Sequence, residues 1–214
     1  MTCQKCQLIF LCKHFFALLP VLNYEKIILG IDPGTNNMGV GVIGINKKEI
    51  ELIAMDVLNL DQLGNHALKL KRIFETVLRN IDAFKPDELA IESQFFGKNV
   101  QSMLKLGRAQ GVAIAAALHR NIPIFEYSPR KIKQSITGRG SASKEQVAAM
   151  LYRMLNIEGV PDNLDITDAL AVALCHHYQA GKPGQADSKN YSGWKAFISD
   201  NPDRVTGSSE GVKR

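Results

Sequence analysis

Three short apolar stretches follow one another early in the chain and constrain the fold more than any other feature. They span 27–32 (IILGID), 38–45 (MGVGVIGI) and 49–58 (EIELIAMDVL), and each has the length and composition of a β-strand. A Pro-Gly turn joins the first two, and a polar Asn-Lys-Lys turn joins the last two. Because connections this short join neighbouring antiparallel strands, the pattern predicts an antiparallel meander.

Helical and strand-like patterns alternate after the meander. The predicted elements are, in chain order, a helix over 65–84, a strand over 88–93, a helix over 99–120, a strand over 122–127 and helices over 129–137, 143–155 and 165–178. Pro, Ser or Asp stands near the start of each of the last three helices. The order predicts an α/β fold, with helices on the faces of a mixed five-stranded sheet.

The two ends of the chain differ in composition from this patterned core. Residues 1–24 contain three cysteines and no acid, whereas residues 181–214 are dominated by Gly, Pro, Ser, Asp and Asn. We interpret 1–24 as an N-terminal extension of unknown role and 25–180 as a single domain. We interpret 181–214 as a polar tail, in which Tyr191, Trp194 and Phe197 have the spacing of one short helix.

Two other interpretations of the first 24 residues are weaker. Cys3, Cys6, Cys12 and His14 are zinc-type ligands, but the last spacing is too tight for a usual structural site. A secretory signal is disfavoured because Lys13 and His14 interrupt the apolar run and no small-x-small cleavage site follows. Few cysteines elsewhere, and no apolar run long enough for a membrane helix, favour a reducing cytoplasmic compartment.

Acidic residues stand at the ends of three predicted elements. Asp32 ends the first strand, Glu92 ends the fourth, and Asp165 and Asp168 share one face in the first turn of the last helix. Each has an ordinary structural explanation as a turn former, a solvated strand end or a helix cap. If these ends converge, two carboxylates ~4 Å apart repel by roughly 4 kcal/mol at an effective dielectric constant of 20, which a divalent cation would reverse. Oxygen ligands favour Mg²⁺ or Mn²⁺ over zinc.

Positive charge is concentrated in one part of the chain. Residues 98–153 carry ten Lys and Arg against two acids, whereas the remainder carries 16 bases and 19 acids. A cationic surface beside a carboxylate–metal centre suits phosphodiester hydrolysis, because the surface holds the backbone while metal ions stabilise the attacking and leaving oxygens. A merely solvated basic face is the alternative.

Five segments together resemble the RuvC family of Holliday junction endonucleases, within the ribonuclease H-like superfamily. In family order they are 28–35 (ILGIDPGT), 89–99 (LAIESQFFGKN), 105–113 (KLGRAQGVA), 125–147 (FEYSPRKIKQSITGRGSASKEQV) and 165–173 (DITDALAVA). The resemblance covers about residues 26–180. It implies a ribonuclease H-like nuclease domain and a Mg²⁺-dependent endonuclease that resolves four-way DNA junctions by symmetric nicks in recombination and repair.

The resemblance also implies roles for individual positions. The catalytic, metal-binding quartet would be Asp32, Glu92, Asp165 and Asp168, holding two Mg²⁺ ions for which Mn²⁺ substitutes. The implied DNA-binding residues are Phe95 at the junction crossover, Lys133 and Lys144 near the scissile phosphate and backbone, and Lys98, Arg108, Arg130 and Arg139 as further phosphate contacts. The resemblance also implies that the chain works as a homodimer and acts with the branch-migration proteins RuvA and RuvB.

Other functions stay open from the residues alone. An actin-like ATPase domain also begins with a strand, an Asp and a Gly-rich turn, but it needs a second phosphate loop and a duplicated domain. A non-catalytic junction-binding module would leave DNA uncut with or without Mg²⁺, and the four carboxylates argue against it. The small residues of the predicted helix over 99–120 offer a packing surface, either between two copies or inside one.

Overall fold

A five-stranded mixed sheet forms the centre of the fold. The computed structural model describes residues 24–47, 49–94, 99–157 and 164–180. The strands are β1 (Lys26–Asp32), β2 (Asn37–Asn46), β3 (Glu49–Asn59), β4 (Glu88–Glu92) and β5 (Ile124–Tyr127), in the spatial order β3-β2-β1-β4-β5. The first three strands are antiparallel neighbours, and β4 runs parallel to both β1 and β5. The predicted meander and mixed sheet are confirmed.

The helices begin at the capping residues that the sequence carries. They are α1 (His66–Phe84), α2 (Val100–His119), α3 (Pro129–Thr137), α4 (Lys144–Met154) and α5 (Leu164–Gln179). Asn65, Asn99, Ser128 and Ser143 each accept a hydrogen bond from a backbone N–H in the first turn of the helix that follows. The last helix starts one residue earlier than predicted, which places Asp165 inside its first turn.

The sheet separates two apolar layers. On one face, α1 and α2 pack against strand residues such as Leu29 and Ile31. On the other face, α3, α4 and α5 pack against Ile28 and Ala90. Because side chains alternate between the faces of a strand, the ends of β1 and β4 direct Asp32 and Glu92 toward the layer that contains α5.

Two strand glycines allow α5 to pack directly on the centre of the sheet. A Cβ atom at Gly30 would lie 2.2 Å from the carbonyl oxygen of Ala169, and one at Gly41 would lie 2.7 Å from the side chain of Leu170. No larger residue fits without moving the helix. The close approach fixes the first half of α5 beside the end of β1.

The small residues of α2 divide between two environments. Ala109, Ala113, Ala116 and Ala117 are buried within the monomer, in the layer that α2 shares with α1. At Gly107 and Gly111, in contrast, an added Cβ would meet no described atom within 4 Å beyond its chain neighbours and the nearby backbone of α2. Part of the predicted packing surface is therefore internal, and part of it is exposed.

Several predictions concern segments outside the described residues. These include the N-terminal extension up to residue 23, the tail from residue 181 with its aromatic triplet, and the predicted DNA contacts at Phe95 and Lys98. The described residues up to Gln179 belong to one compact unit. The domain boundaries at 24 and 181 stay predictions. Among the described helices, none combines the length and apolar character required to span a bilayer.

Candidate active site

One cavity brings together residues from β1, β4, α3, α4 and α5. Its lining consists of Asp32, Glu92, Pro129, Ile132, Lys133, Lys144, Val147, Asp168 and Ala171. Three of the four predicted carboxylates and the two predicted lysines of the catalytic region therefore share one cavity. Sequence reasoning did not single out the apolar part of this wall, because Ile132, Val147 and Ala171 have the helical spacing of ordinary core residues.

Strand pairing explains how the first two carboxylates meet. β1 and β4 are adjacent and parallel, with Ile31 opposite Ile91. Asp32 and Glu92 follow directly, so they emerge at the same level and on the same face of the sheet. Asp168 reaches them from α5, where the next residue, Ala169, packs on Gly30. Each strand sequence alone marks one acid at a strand end, and the parallel register brings the two acids together.

Asp165 belongs to the same helix as Asp168 and precedes it by three residues. This spacing puts the two positions on one face of the helix. The side chain of Asp165 lies outside the described part of the chain. Its membership of the carboxylate group therefore stays a prediction that rests on its position in the helix.

The pKa of Glu92 is raised from 4.5 to about 7. Burial is the largest cause, because desolvation disfavours the charged carboxylate, and the negative charge of Asp168 adds to it. The positive charges of Lys144 and Lys133 act in the opposite direction without cancelling these effects. A carboxyl group with a raised pKa beside a second carboxylate is typical of a functional site that binds a cation or a proton.

Lys144 forms an ion pair with Asp168, from Nζ to Oδ2, inside the cavity. The side chain of Asp168 is 15% exposed and that of Lys144 is 52% exposed, so the lysine reaches in from the solvent side. A capping box between Ser143 and Gln146 fixes the start of α4 and therefore the point from which Lys144 extends. Sequence reasoning predicted a DNA contact at Lys144 and missed this ion pair, because no local pattern relates residues on separate helices.

The chemistry of the carboxylates fits a hard divalent cation. Asp32, Glu92 and Asp168 offer only oxygen ligands, as Mg²⁺ and Mn²⁺ prefer. Across the described side chains, which omit Asp165, no three His, Cys, Asp or Glu groups are close enough to form a ready-made metal site. The predicted arrangement of four carboxylates around two ions is therefore not assembled by the described residues alone.

The other predicted DNA contacts lie away from the cavity wall. Arg130 is on α3, Arg139 follows that helix, and Arg108 is on α2, and all three are exposed. The aliphatic part of Arg130 packs close to Gly140, where an added Cβ would lie 2.7 Å from Cγ of the arginine. The structure brings none of these three arginines into the lining of the cavity.

A second polar cluster lies at the start of β4 and near the end of α5, which are the ends of these elements that do not line the cavity. Nδ1 of His176 lies 2.6 Å from the Tyr127 hydroxyl, and Nε2 of the same ring contacts Glu88. Glu88 also pairs with Lys26 at 2.6 Å, and Phe125 stacks on the His176 ring at 4.3 Å. Burial lowers the pKa of His176, against the opposing effect of Glu88. The cluster ties the carboxyl-terminal half of α5 to the sheet.

Comparison with known proteins identifies the family. Residues 28–176 match the family model described as crossover junction endodeoxyribonuclease RuvC. The chain belongs to the RuvC family. This membership confirms the predicted family and nuclease class, and it favours a nuclease over an actin-like ATPase.

Individual RuvC-family proteins match over most of their length. A crossover junction endodeoxyribonuclease RuvC from Bacteroides fragilis is 61% identical over 183 residues, which are 85% of this chain and 96% of the relative. One from Christiangramia forsetii is 57% identical over 185 residues, covering 86% and 95%. Thermus thermophilus RuvC in complex with Holliday junction substrate is structurally similar, with a TM-score of 0.69, 32% identity and coverage of 73% and 95%. The predicted ribonuclease H-like fold is confirmed.

Proposed function

We propose that this RuvC-family chain is a divalent-metal-dependent endonuclease that resolves four-way DNA junctions by paired nicks during recombination and repair. The observation that carries the proposal is the cavity in which Asp32, Glu92 and Asp168 stand beside Lys133 and Lys144. The names of the relatives, and the Thermus thermophilus complex with a Holliday junction substrate, support junction DNA as the substrate.

Asp32, Glu92 and Asp168 would hold the metal ions, with Asp165 as the fourth ligand. We propose two Mg²⁺ ions, replaceable by Mn²⁺, because carboxylate oxygens suit both. When bound, such ions lower the pKa of a water nucleophile and stabilise the charge on the leaving 3′ oxygen. Lys133 would contact a phosphate oxygen from the cavity wall, and the apolar side chains of Ile132 and Val147 would limit water beside the reacting phosphate.

The remaining DNA contacts extend from the cavity over the basic part of the chain. Arg108, Arg130 and Arg139 would bind backbone phosphates, since exposed arginines pair well with them. We assign the same role to Lys98, and a contact with the bases at the junction crossover to Phe95. Both assignments rest on position in the sequence.

A homodimer would supply the two active sites that symmetric nicking requires. The exposed face of α2 supports this assembly: Val100, Leu104 and Leu118 are 68%, 52% and 59% exposed, with Gly107, Gly111 and Ala115 exposed between them. These residues recur every three or four positions, as in helix pairs that pack closely. We propose that a second copy covers this α2 stripe.

RuvA and RuvB are proposed partners, and the cytoplasm is the proposed compartment.

A nicking assay tests the proposed function. The substrates are a mobile four-way junction and a linear duplex of the same sequence, each with Mg²⁺ or EDTA. We expect paired, symmetric nicks in the junction alone, dependent on metal, and we expect Asp32→Asn to abolish cleavage while junction binding persists. Asp56→Asn, which removes the same charge from an exposed position on β3, is the control and should cleave normally.

Each other result has a distinct meaning. Wild-type cleavage by Asp32→Asn would reject the carboxylate assignment. Equal cutting of junction and duplex would keep the metal nuclease but reject junction selectivity. Tight binding without cutting, across several metals and junction sequences, would favour the non-catalytic binding module.

A further inference from the structure

The ammonium group of Lys144 contacts a carboxylate that the proposed function assigns to metal binding. Its Nζ contacts Oδ2 of Asp168, whose side chain is 15% exposed. Glu92 lines the same cavity, and its pKa responds to the charges of both Lys144 and Asp168. The ammonium group therefore already neutralises part of the negative charge that would otherwise attract a cation.

The position of Lys144 gives this contact freedom to break. Lys144 is the first residue of α4, and its side chain is 52% exposed, so a path to solvent remains open. The capping box holds the backbone below it, which means that the side chain can move while the helix stays in place. A lysine side chain also has several rotatable bonds and a compact, mobile charge.

Two cations cannot share this site without repulsion. An ammonium group next to Asp168 opposes the approach of a divalent ion to the same carboxylate, and a bound ion in turn repels the ammonium group. By thermodynamic linkage, the free energy by which the lysine contact weakens metal binding equals the free energy by which bound metal weakens the lysine contact.

We propose that Lys144 and a divalent cation exchange at Asp168. Lys144 holds the carboxylate before metal binds, and metal binding releases its ammonium group toward the phosphate backbone of the substrate. The inference rests on the metal site of the proposed function and adds a specific order of events to it. Lys144 is then the counter-ion of Asp168 in the metal-free protein and a positive charge available to the DNA backbone once metal has bound.

Manganese binding to the protein without DNA tests the exchange. Isothermal titration with Mn²⁺ should show that Lys144→Gln binds the ion about five- to tenfold more tightly than wild type, because the competing ammonium group is gone. Lys133→Gln is the matched control, since Lys133 lines the same cavity and its substitution removes the same charge. We expect less than about a twofold change for the control, because Lys133 influences the cavity through its charge on Glu92, whereas Lys144 is also in direct contact with Asp168.

An Asp168→Asn arm separates failure of the inference from failure of the proposed function. In the Asp168→Asn background, Mn²⁺ binding should weaken, and the effect of Lys144→Gln should shrink to the less than about twofold change expected for Lys133→Gln. If Asp168→Asn leaves Mn²⁺ binding unchanged, the proposed metal site is wrong and the exchange with it. If Asp168→Asn weakens binding but Lys144→Gln does not tighten it, or Lys133→Gln tightens it equally, only the exchange is wrong.

The release of Lys144 has its own readout. Acetylation of lysines by a small reagent, quantified for each residue by mass spectrometry, should increase at Lys144 when Mn²⁺ is added to wild-type protein. Exposed Lys71 on α1, which pairs with Glu75, provides the internal control and should be unaffected. Unchanged or reduced reactivity at Lys144 in the presence of bound Mn²⁺ would overturn the exchange.

Discussion

Glu92 follows three residues of β4 that are fully buried, and the strand carries its carboxyl group into the cavity with little water around it. The sequence alone located this acid, because an apolar run that ends in one carboxylate is visible in LAIE. Its raised pKa could not be predicted in the same way. That property depends on burial and on Asp168, which arrives from an element 76 positions further along the chain.

Removing the charge of Glu92 should stabilise the protein at alkaline pH. Because the folded-state pKa of about 7 lies above the ordinary value of 4.5, the stabilisation from protonated Glu92 is full below 4.5 and is lost as pH rises through 7. Glu92→Gln keeps a neutral side chain, so at about pH 8 in EDTA its unfolding free energy should exceed that of wild type by up to roughly 3 kcal/mol. Urea denaturation measures the difference.

The pH dependence distinguishes this effect from a general change in packing. The gain of Glu92→Gln should shrink toward zero at about pH 4.5, where wild-type Glu92 is also protonated. Glu49→Gln, on an exposed position of β3, serves as the control and should change stability by less than about 0.5 kcal/mol at either pH. A less stable Glu92→Gln protein at pH 8 would contradict the assigned cause.

The helices and strands were predicted to within about two residues because polar signals mark their ends. Asn65 and Ser143 cap α1 and α4, and Gly138, with a φ of 75°, ends α3. The relations between elements were less visible. The contact of His176 with Glu88 joins positions 88 residues apart, and neither residue has a local pattern that indicates the other.

Helix α5 contributes both to the stability of the fold and to the active site. Its residues from Ala169 to Cys175 are at most 1% exposed, and the same helix carries Asp165 and Asp168 near its N-terminus. A helix buried on all sides has little freedom to shift alone. The position of Asp168 in the cavity therefore depends on how closely α5 approaches β1 and β2.

Gly30→Ala should separate α5 from the sheet. The new Cβ would lie 2.2 Å from the carbonyl oxygen of Ala169, a backbone atom that no rotamer change can move. We expect a loss of about 1–3 kcal/mol in unfolding free energy and a larger proportional loss of junction cleavage, since Asp168 moves with the helix. Thermal unfolding and the nicking assay measure the two effects on one preparation.

The control for this substitution is Gly64→Ala. Apart from Gly64 itself and its two chain neighbours, no atom of the described chain lies within 4 Å of a Cβ at this position, so we expect cleavage and thermal stability close to those of wild type. If Gly30→Ala behaved like this control, the close approach of α5 to β1 would not be what positions Asp168.

The two helical layers that cover the sheet have different functional features. The layer with α3, α4 and α5 contains the cavity, and the layer with α1 and α2 carries the exposed apolar stripe on its outer surface. From the sequence, the stripe could not be separated from the internal alanines of α2, because both consist of small or apolar residues. Only the packing of α2 on α1 distinguishes them.

Charge on the α2 stripe should dissociate the proposed dimer. Leu104→Glu would bury an unpaired carboxylate in the interface and weaken association on the order of 100-fold, because such burial costs several kcal/mol. Light scattering should then give the 23.6 kDa mass of one chain where wild type gives twice that mass. On four-way junctions, the variant should make single, uncoordinated nicks.

Leu68→Glu on α1 is a closely matched control, because Leu68 and Leu104 are each 52% exposed. Leu68 lies outside the α2 stripe, so its variant should stay dimeric and nick in pairs. A dimeric Leu104→Glu protein would place the interface elsewhere, and dissociation of both variants would extend it across α1. Dissociation of Leu104→Glu alone, with single nicks and an unchanged requirement for metal, would mean that each cavity is complete in one chain and that the dimer serves to pair the two cuts.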